Sequence, residues 1–178
     1  SSAASDVYKR QDEMGLGKTL QTIALIATLL RQNCYFSNIR PGTVEKVLIV
    51  CPLTLVVNWK REFRKWIGRS SIGVLAVEGD GRKEVDRFVS HRQYQVLILG
   101  YERLRNCVQE LSRAMPGVGL VVCDEGHRLK SKDTKTTKCF DLLPTRRRIL
   151  LTGTPIQNDL REFYTMVDFV YPGPVSYT

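Results

Sequence analysis

The 178-residue chain lacks the sequence features that are typical of membrane proteins, cysteine metal sites and repeat proteins. No apolar run is long and uninterrupted enough to cross a membrane, so no membrane partner is expected. Its five cysteines include no C-x-x-C pair and no spacing typical of metal ligands, so we expect reduced thiols in the core. Neither an internal repeat nor a low-complexity tract is present. With 43% apolar residues, the chain is long enough to form one domain with a proper core.

Positive charge is in excess, with 27 basic against 18 acidic residues and a formal net charge of +9. This excess suits a polyanionic partner, although basic residues are also common on solvated surfaces. The clustering of the basic residues favours the first interpretation. The clusters are Lys60, Arg61, Arg64 and Lys65; Arg128, Lys130, Lys132, Lys135 and Lys138; and residues 146–148.

The sequence D-E-M-G-L-G-K-T at residues 12–19 predicts a loop that wraps the phosphates of a nucleotide. Gly15 and Gly17 would let the backbone turn tightly and point N–H groups inward. Lys18 would reach the β- and γ-phosphates, and the Thr19 hydroxyl would bind Mg²⁺. Asp12 replaces the first glycine of the strict motif, and a glycine-rich turn at the start of an amphipathic helix is the alternative. The predicted nucleotide-binding residues are Gly15, Leu16, Gly17, Lys18, Thr19 and Leu20.

A hydrophobic segment at residues 119–123 ends in two adjacent acids, Asp124 and Glu125. A strand that ends this way would place Asp124 to hold Mg²⁺ through water, and Glu125 to orient and deprotonate the attacking water. Taken alone, the acids could also form a solvated turn. Together with Lys18 they supply the groups that phosphoryl transfer requires, so these three residues are the predicted catalytic set.

Strand-like and helix-like segments alternate along the chain, which predicts an α/β fold with a parallel sheet and helices on both faces. The predicted strands are residues 47–51, 73–77, 95–99, 120–123 and 148–152. The predicted helices are residues 18–31, 55–67, 82–90, 133–142 and 159–169. In the second helix, Leu55, Trp59, Phe63 and Trp66 recur at helical spacing, so we expect them to form its buried face. Residues 33–45 are the predicted flexible insertion.

Three motifs follow one another as they do in superfamily-two helicase-like ATPases: DEMGLGKT at 12–19, DEGHRLK at 124–130 and LTGTPIQN at 151–158. Between them, CPLTLVVNWKREF at 51–63 and ILGYERLR at 98–105 resemble the DNA-facing motifs of the Swi/Snf branch. Within that branch the chain is most similar to the recombination-repair translocases of the Rad fifty-four group. The resemblance runs from about Asp12 to Pro172 and implies the first RecA-like (P-loop NTPase) lobe of a two-lobe motor.

This resemblance implies a DNA-dependent ATPase that uses ATP and Mg²⁺ to translocate on double-stranded DNA. It further implies DNA or chromatin remodelling during homologous recombination in the nucleus, with nucleosomes and a recombinase as candidate partners. His127 would sense the nucleotide state. Thr152, Gly153 and Thr154 would couple that state to lobe closure, although a helix-capping turn is an alternative for either hydroxyl. The implied DNA-phosphate contacts are Thr54, Asn58, Lys60, Arg61, Tyr101 and Arg103.

Both ends of the chain depart from the pattern of the family. Residues 1–11 are polar and lack the buried strand that normally precedes a phosphate loop, so we expect a foreign or disordered tail. The lobe would then occupy residues 12–172 without its first strand, and 173–178 would be a truncated end. The second lobe with its arginine fingers is missing, so the isolated chain should be nearly inactive. A lobe of a strand-separating DNA or RNA helicase and a non-catalytic nucleotide-binding module are the alternatives.

Overall fold

A parallel β-sheet forms the centre of the computed structural model, which describes residues 2–32, 42–68, 72–129, 135–153 and 160–170. Within these residues the sheet has five strands in the order β2-β3-β1-β4-β5. The strands are β1 (Lys46–Cys51), β2 (Gly73–Ala76), β3 (Tyr94–Gly100), β4 (Val118–Cys123) and β5 (Arg148–Leu150). All five strands agree with the predicted ones to within two residues at either end.

Helices connect the strands and cover both faces of the sheet. They are α1 (Ser2–Arg31), α2 (Leu53–Ile67), α3 (Arg82–Ser90), α4 (Tyr101–Ser112), α5 (Lys135–Asp141) and α6 (Leu160–Val170). A short 3-10 helix spans Gly126–Leu129. Helix α4 was not predicted, because the segment was interpreted only as a DNA-facing motif. In the part of the chain described, no helix is long and apolar enough to cross a membrane.

The core consists of two apolar clusters, one on each face of the sheet. Because side chains alternate along a strand, Leu48 and Val50 of β1 point into one cluster and Val47 and Ile49 into the other. The first cluster includes side chains of α3, α4, α5 and α6, and the second includes side chains of α1 and α2. This three-layer arrangement explains why β1 is buried at every position. The predicted α/β fold is therefore confirmed.

The carboxyl ends of the three central strands lie at one edge of the sheet. In the ladder, Cys51 is paired with Gly100 of β3, and Val50 is paired with Cys123 of β4. The residues that follow these ends, including Tyr101 and Asp124, are consequently brought together although they are distant in sequence. This is the edge at which open α/β sheets bind their ligands.

Helix α1 contradicts the predicted backbone of the phosphate loop. It is a continuous 30-residue helix that includes Gly15, Gly17 and Lys18, so the turn expected at residues 12–17 is absent. Residues 2–11, ahead of the glycines, are helical as well. Helix formation then propagates through the segment because each added residue forms another backbone hydrogen bond. Residues 2–11 form the start of α1, and the expected foreign or disordered tail stays a prediction.

Candidate nucleotide site

Asp124 is held by hydrogen bonds to both its side chain and its backbone at the carboxyl edge of the sheet. The indole Nε1–H of Trp59 donates to its Oδ2 at 2.8 Å, and the backbone N–H of Glu125 donates to its Oδ1 at 2.9 Å. Its own backbone N–H donates to the carbonyl oxygen of Val50 at 2.8 Å, and its carbonyl accepts the Tyr101 hydroxyl at 2.7 Å. Groups from α2, α4 and β1 therefore fix both the backbone and the carboxylate of Asp124.

The pKa of the Asp124 carboxyl group is raised overall, because the effect of burial exceeds that of the hydrogen bonds. Burial raises the pKa of its carboxyl group above the ordinary value, and the nearby Glu125 carboxylate adds to that rise. The hydrogen bonds from Trp59 and from the Glu125 backbone N–H, together with the Lys18 ammonium, oppose it. A carboxylate in such surroundings gains from a nearby cation, which is the property required of a metal-binding aspartate.

Glu125 adopts a backbone conformation that is unusual for a residue with a side chain. Its φ of 53° lies in the left-handed region. The following residue fixes this turn, since the Gly126 N–H donates to the Leu151 carbonyl at 2.8 Å and a Cβ at Gly126 would lie 2.2 Å from Leu150 Cδ1. The fold therefore determines the position of the Glu125 carboxylate at the expense of local strain.

Lys18 reaches across the sheet edge from α1 to the segment that follows β5. Its Nζ donates to the Thr152 carbonyl at 2.9 Å. The Glu125 carboxylate and the Lys18 ammonium both lie beside Gly153. A Cβ placed on Gly153 would be 3.3 Å from Glu125 Oε1 and 3.7 Å from Lys18 Nζ. The structure thus brings together one cation, two carboxylates and the predicted coupling segment.

Several predicted residues do not form the expected cradle, or lie outside the described residues. In a continuous helix, the N–H groups of Gly15, Leu16 and Gly17 are directed along the helix axis towards preceding carbonyls rather than inward. Thr19 and Leu20 are partly buried on the same helix. The residue Thr154 and the side chain of His127 lie outside the described part of the chain. The side chains of the site are therefore assembled, whereas the backbone donors are not.

The predicted DNA contacts occupy two different environments. Thr54 is exposed on α2, Asn58 accepts a hydrogen bond from Arg61 at 2.6 Å, and Lys60 forms a 2.7 Å ion pair with Glu78. These side chains lie on or near the surface. The remaining two predicted contacts are on α4.

On α4, Arg103 donates to the Gly79 carbonyl at 2.7 Å and lies 3.5 Å from an Asp80 oxygen. Tyr101, in contrast, is buried, with 8% of its surface exposed, and its hydroxyl is bonded to Asp124. In this structure the Tyr101 hydroxyl is directed at the candidate site, and its contact with a DNA phosphate stays a prediction.

Sequence reasoning missed the partners of Asp124. Trp59 lies in the core as predicted, but its hydrogen bond to the Asp124 carboxylate was not predicted. Trp66, which was expected on the buried face of α2, is 46% exposed. The missed signal is chemical, because a buried tryptophan needs an acceptor for its N–H.

Both thiols that end the neighbouring strands, Cys51 and Cys123, are buried, and burial raises the pKa of each well above its ordinary value. They are packing residues at this edge.

Comparison with known proteins places the chain in a family. The model of the SNF2-related domain matches residues 11–177. The chain belongs to the SNF2-related domain family. The Swi/Snf branch and the RecA-like α/β fold predicted from the sequence are thereby confirmed.

Individual relatives of this SNF2 domain are DNA repair proteins. The chain is 46% identical to the DNA repair and recombination protein RDH54 of Saccharomyces cerevisiae over 176 residues, covering 91% of the chain and 19% of RDH54. It is 48% identical to the DNA repair and recombination protein RAD54B of Homo sapiens over 162 residues, covering 91% of the chain and 17% of RAD54B. The chain thus spans about a fifth of the length of these relatives, and the similarity to the Rad fifty-four group is confirmed.

A solved structure shows the same fold. The Sulfolobus solfataricus SWI2/SNF2 ATPase core in complex with dsDNA superimposes with a TM-score of 0.68 and 29% sequence identity, covering 90% of this chain and 30% of that one. The likeness covers nearly all of the chain and less than a third of the ATPase core.

Proposed function

We propose that this SNF2 domain is the first, nucleotide-binding lobe of a DNA-dependent ATPase that translocates on double-stranded DNA in nuclear recombination repair. The observation that carries the proposal is the convergence of Lys18, Asp124 and Glu125 at the carboxyl edge of the sheet. Relatives named for DNA repair and recombination support the biological setting. The solved relative bound to dsDNA supports the substrate.

The side chains of the site fit a magnesium nucleotide. Magnesium is usually held by one or two carboxylates together with water and substrate phosphates. The described residues contain no group of three or more metal-ligating side chains, so the nucleotide would have to complete the coordination, as this mode of binding requires. Asp124 would hold the ion, Thr19 would add its hydroxyl, and Lys18 would neutralise the phosphates. Bound Mg·ATP supplies the phosphoryl group and polarises it for transfer.

Residues of the chain would also activate the attacking water and respond to the bound phosphates. Glu125, fixed by its left-handed turn, would orient a water and accept its proton. Lys18 would exchange the Thr152 carbonyl for phosphate oxygens, which frees the coupling segment at Thr152, Gly153 and Thr154 to move. His127 would respond to the same change. A second RecA-like lobe would add the arginines that stabilise the transition state.

Nucleotide binding in this mechanism requires a change in α1. The N–H donors of Gly15 and Gly17 become available only if the helix begins near Lys18 instead of at Ser2. The positive end of the shortened helix would then face the phosphates. A strand placed upstream of Asp12 would favour this shorter helix, because it would fix the chain ahead of the loop.

The DNA surface would be formed by α2 and the start of α4. Thr54, Asn58, Lys60 and Arg61 would contact phosphates from α2, and Arg103 from α4. Lys60 and Arg103 are held by acidic residues of the loop between β2 and α3, so DNA would replace Glu78 and Asp80 as their partners. Contacts of this kind position a motor on the duplex without reading sequence. Nucleosomes and a recombinase are further candidate partners.

The decisive experiment measures ATP hydrolysis by a two-lobe protein, in which this chain is joined to an upstream strand and a second RecA-like lobe of the same family. Turnover is followed with long duplex DNA, single-stranded DNA, RNA or no nucleic acid. We expect turnover that depends on duplex and is abolished by Glu125→Gln. Stimulation only by single strands would favour a helicase, and binding without turnover would favour a non-catalytic module.

A further inference from the structure

Trp59 joins the apolar core to the carboxylate of Asp124. The side chain is 1% exposed, and its ring packs against Phe63 with the centroids 6.4 Å apart. An indole has a single N–H donor, and this donor is directed at Asp124 Oδ2 at 2.8 Å. The other carboxylate oxygen is held by a backbone N–H. The rotation of the Asp124 carboxylate is therefore set by a side chain from α2.

The neighbours of Trp59 in sequence flank it on the same helix and are only partly buried. Asn58 and Lys60 are both among the proposed DNA contacts, and α2 carries the largest share of those contacts. Since α2 is a regular helix of 15 residues, a displacement of its surface moves the buried indole as well. One helix thus joins the proposed DNA surface to the carboxylate of the metal site.

A second helix binds the backbone of the same residue. Tyr101, at the start of α4, donates to the Asp124 carbonyl at 2.7 Å, and Arg103 lies two residues further along α4 at the surface. Outside the core, the loop between β2 and α3 spans the two helices, since Lys60 binds Glu78 and Arg103 binds the Gly79 carbonyl. Asp124 and this loop are two points at which α2 and α4 are linked.

We propose that Trp59 is a positioning residue that aligns the Asp124 carboxylate for the metal ion and transmits displacement of α2 at the DNA surface to that ion. This inference rests on the proposed function, because it takes Asp124 as the metal-binding carboxylate. A positioning role requires the indole N–H of Trp59, whereas a packing role requires only the shape of the ring. Partners of metal ligands commonly account for a tenfold to hundredfold change in metal affinity or activity.

Trp66 provides a matched control on the same helix. Its Nε1–H donates to Glu62 Oε2 at 2.7 Å, so Trp66→Phe removes the same kind of bond to a carboxylate. That bond lies outside the nucleotide site, and Trp66 is 46% exposed. A comparison of Trp59→Phe with Trp66→Phe therefore separates the alignment of Asp124 from the general loss of an indole hydrogen bond.

The test measures Mn²⁺ binding by the two-lobe protein in the presence of ADP, with free Mn²⁺ determined by electron paramagnetic resonance. We expect Trp59→Phe to weaken Mn²⁺ binding by about tenfold, with Trp66→Phe unchanged. The stimulation of ATP turnover by duplex at saturating Mn²⁺ should also fall in Trp59→Phe, whereas the affinity for duplex should not. Incorporation of benzothienylalanine at position 59 keeps the ring shape without the N–H, and it replaces Trp59→Phe if that variant unfolds.

The outcomes separate the two proposals. If Asp124→Asn loses Mn²⁺ and Trp59→Phe retains it, the positioning role is refuted while the proposed function stands. If Mn²⁺ binding weakens but stimulation by duplex is unchanged, the transmission of movement through α2 is refuted. If Asp124→Asn binds Mn²⁺ as tightly as the unaltered protein, Asp124 is not the metal carboxylate, and the proposed function fails at that residue.

Discussion

The strained backbone at Glu125 leads to a prediction that a side chain at this position lowers the stability of the domain. With φ at 53°, Glu125 occupies the left-handed region, which costs a residue with a Cβ about 1–2 kcal/mol relative to glycine. Glycine also loses more chain entropy on folding, by about 0.5–1 kcal/mol. The difference leaves Glu125→Gly more stable than Glu125→Ala by ~0.5–1 kcal/mol, because alanine removes the carboxylate but keeps the Cβ.

The assay is equilibrium unfolding in urea, followed by the fluorescence of the two tryptophans. The comparison between the two variants cancels every contact of the glutamate side chain, since both variants lack it. For a domain of this size, the expected difference corresponds to a rise in Tm of about 1–4 °C for Glu125→Gly over Glu125→Ala. Both variants of the two-lobe protein should be inactive. Equal stability, or a less stable glycine variant, would refute the claim that Glu125 stores backbone strain.

Three further substitutions test other parts of the structure. Gly17 is helical and a Cβ there has no neighbour within 4 Å, so Gly17→Ala should stabilise the chain by about 0.5–1 kcal/mol in urea unfolding; destabilisation would argue against the continuous α1. A Cβ at Gly126 would overlap Leu150, so Gly126→Ala should cost about 1–3 kcal/mol in the same assay. Burial raises the pKa of the Cys107 thiol to about 11. Unfolding releases that proton more readily, so stability should decline as the pH rises from about 9 towards 11, and less steeply in Cys107→Ala.

The regular part of the fold could be predicted from the sequence because it depends on local patterns. The apolar runs at β1 and β4 are buried on both faces, and such runs are typical of central parallel strands. Helix α3 was predicted with its observed bounds. Helix α4 was not among the predicted helices, although its pattern is helical: Tyr101, Leu104, Val108 and Leu111 recur at helical intervals and are all buried.

The candidate site could be predicted in its composition but not in its arrangement. The acidic pair and Lys18 follow from motifs, whereas the hydrogen bonds of Asp124 depend on the strand order, which brings the ends of β1, β3 and β4 together. Tyr101 illustrates the limit: its resemblance to part of a DNA-facing motif suggested a phosphate contact, but its hydroxyl donates to the Asp124 carbonyl. Motifs predict which chemical groups the site contains, whereas the order and register of the strands determine which of those groups are adjacent.

The phosphate loop shows how two levels of structure can disagree at a functional position. Its glycines can adopt the backbone angles of a tight turn, but they can also adopt those of a helix. Glycine in a helix costs only about 1 kcal/mol relative to alanine. In the present chain the local helix continues through Gly15 and Gly17, although Lys18 still reaches the site through the Thr152 carbonyl. The two glycines therefore oppose the helix by about 2 kcal/mol in total. Phosphates that pair with the released N–H groups, together with a strand upstream, would shift the equilibrium further towards the loop.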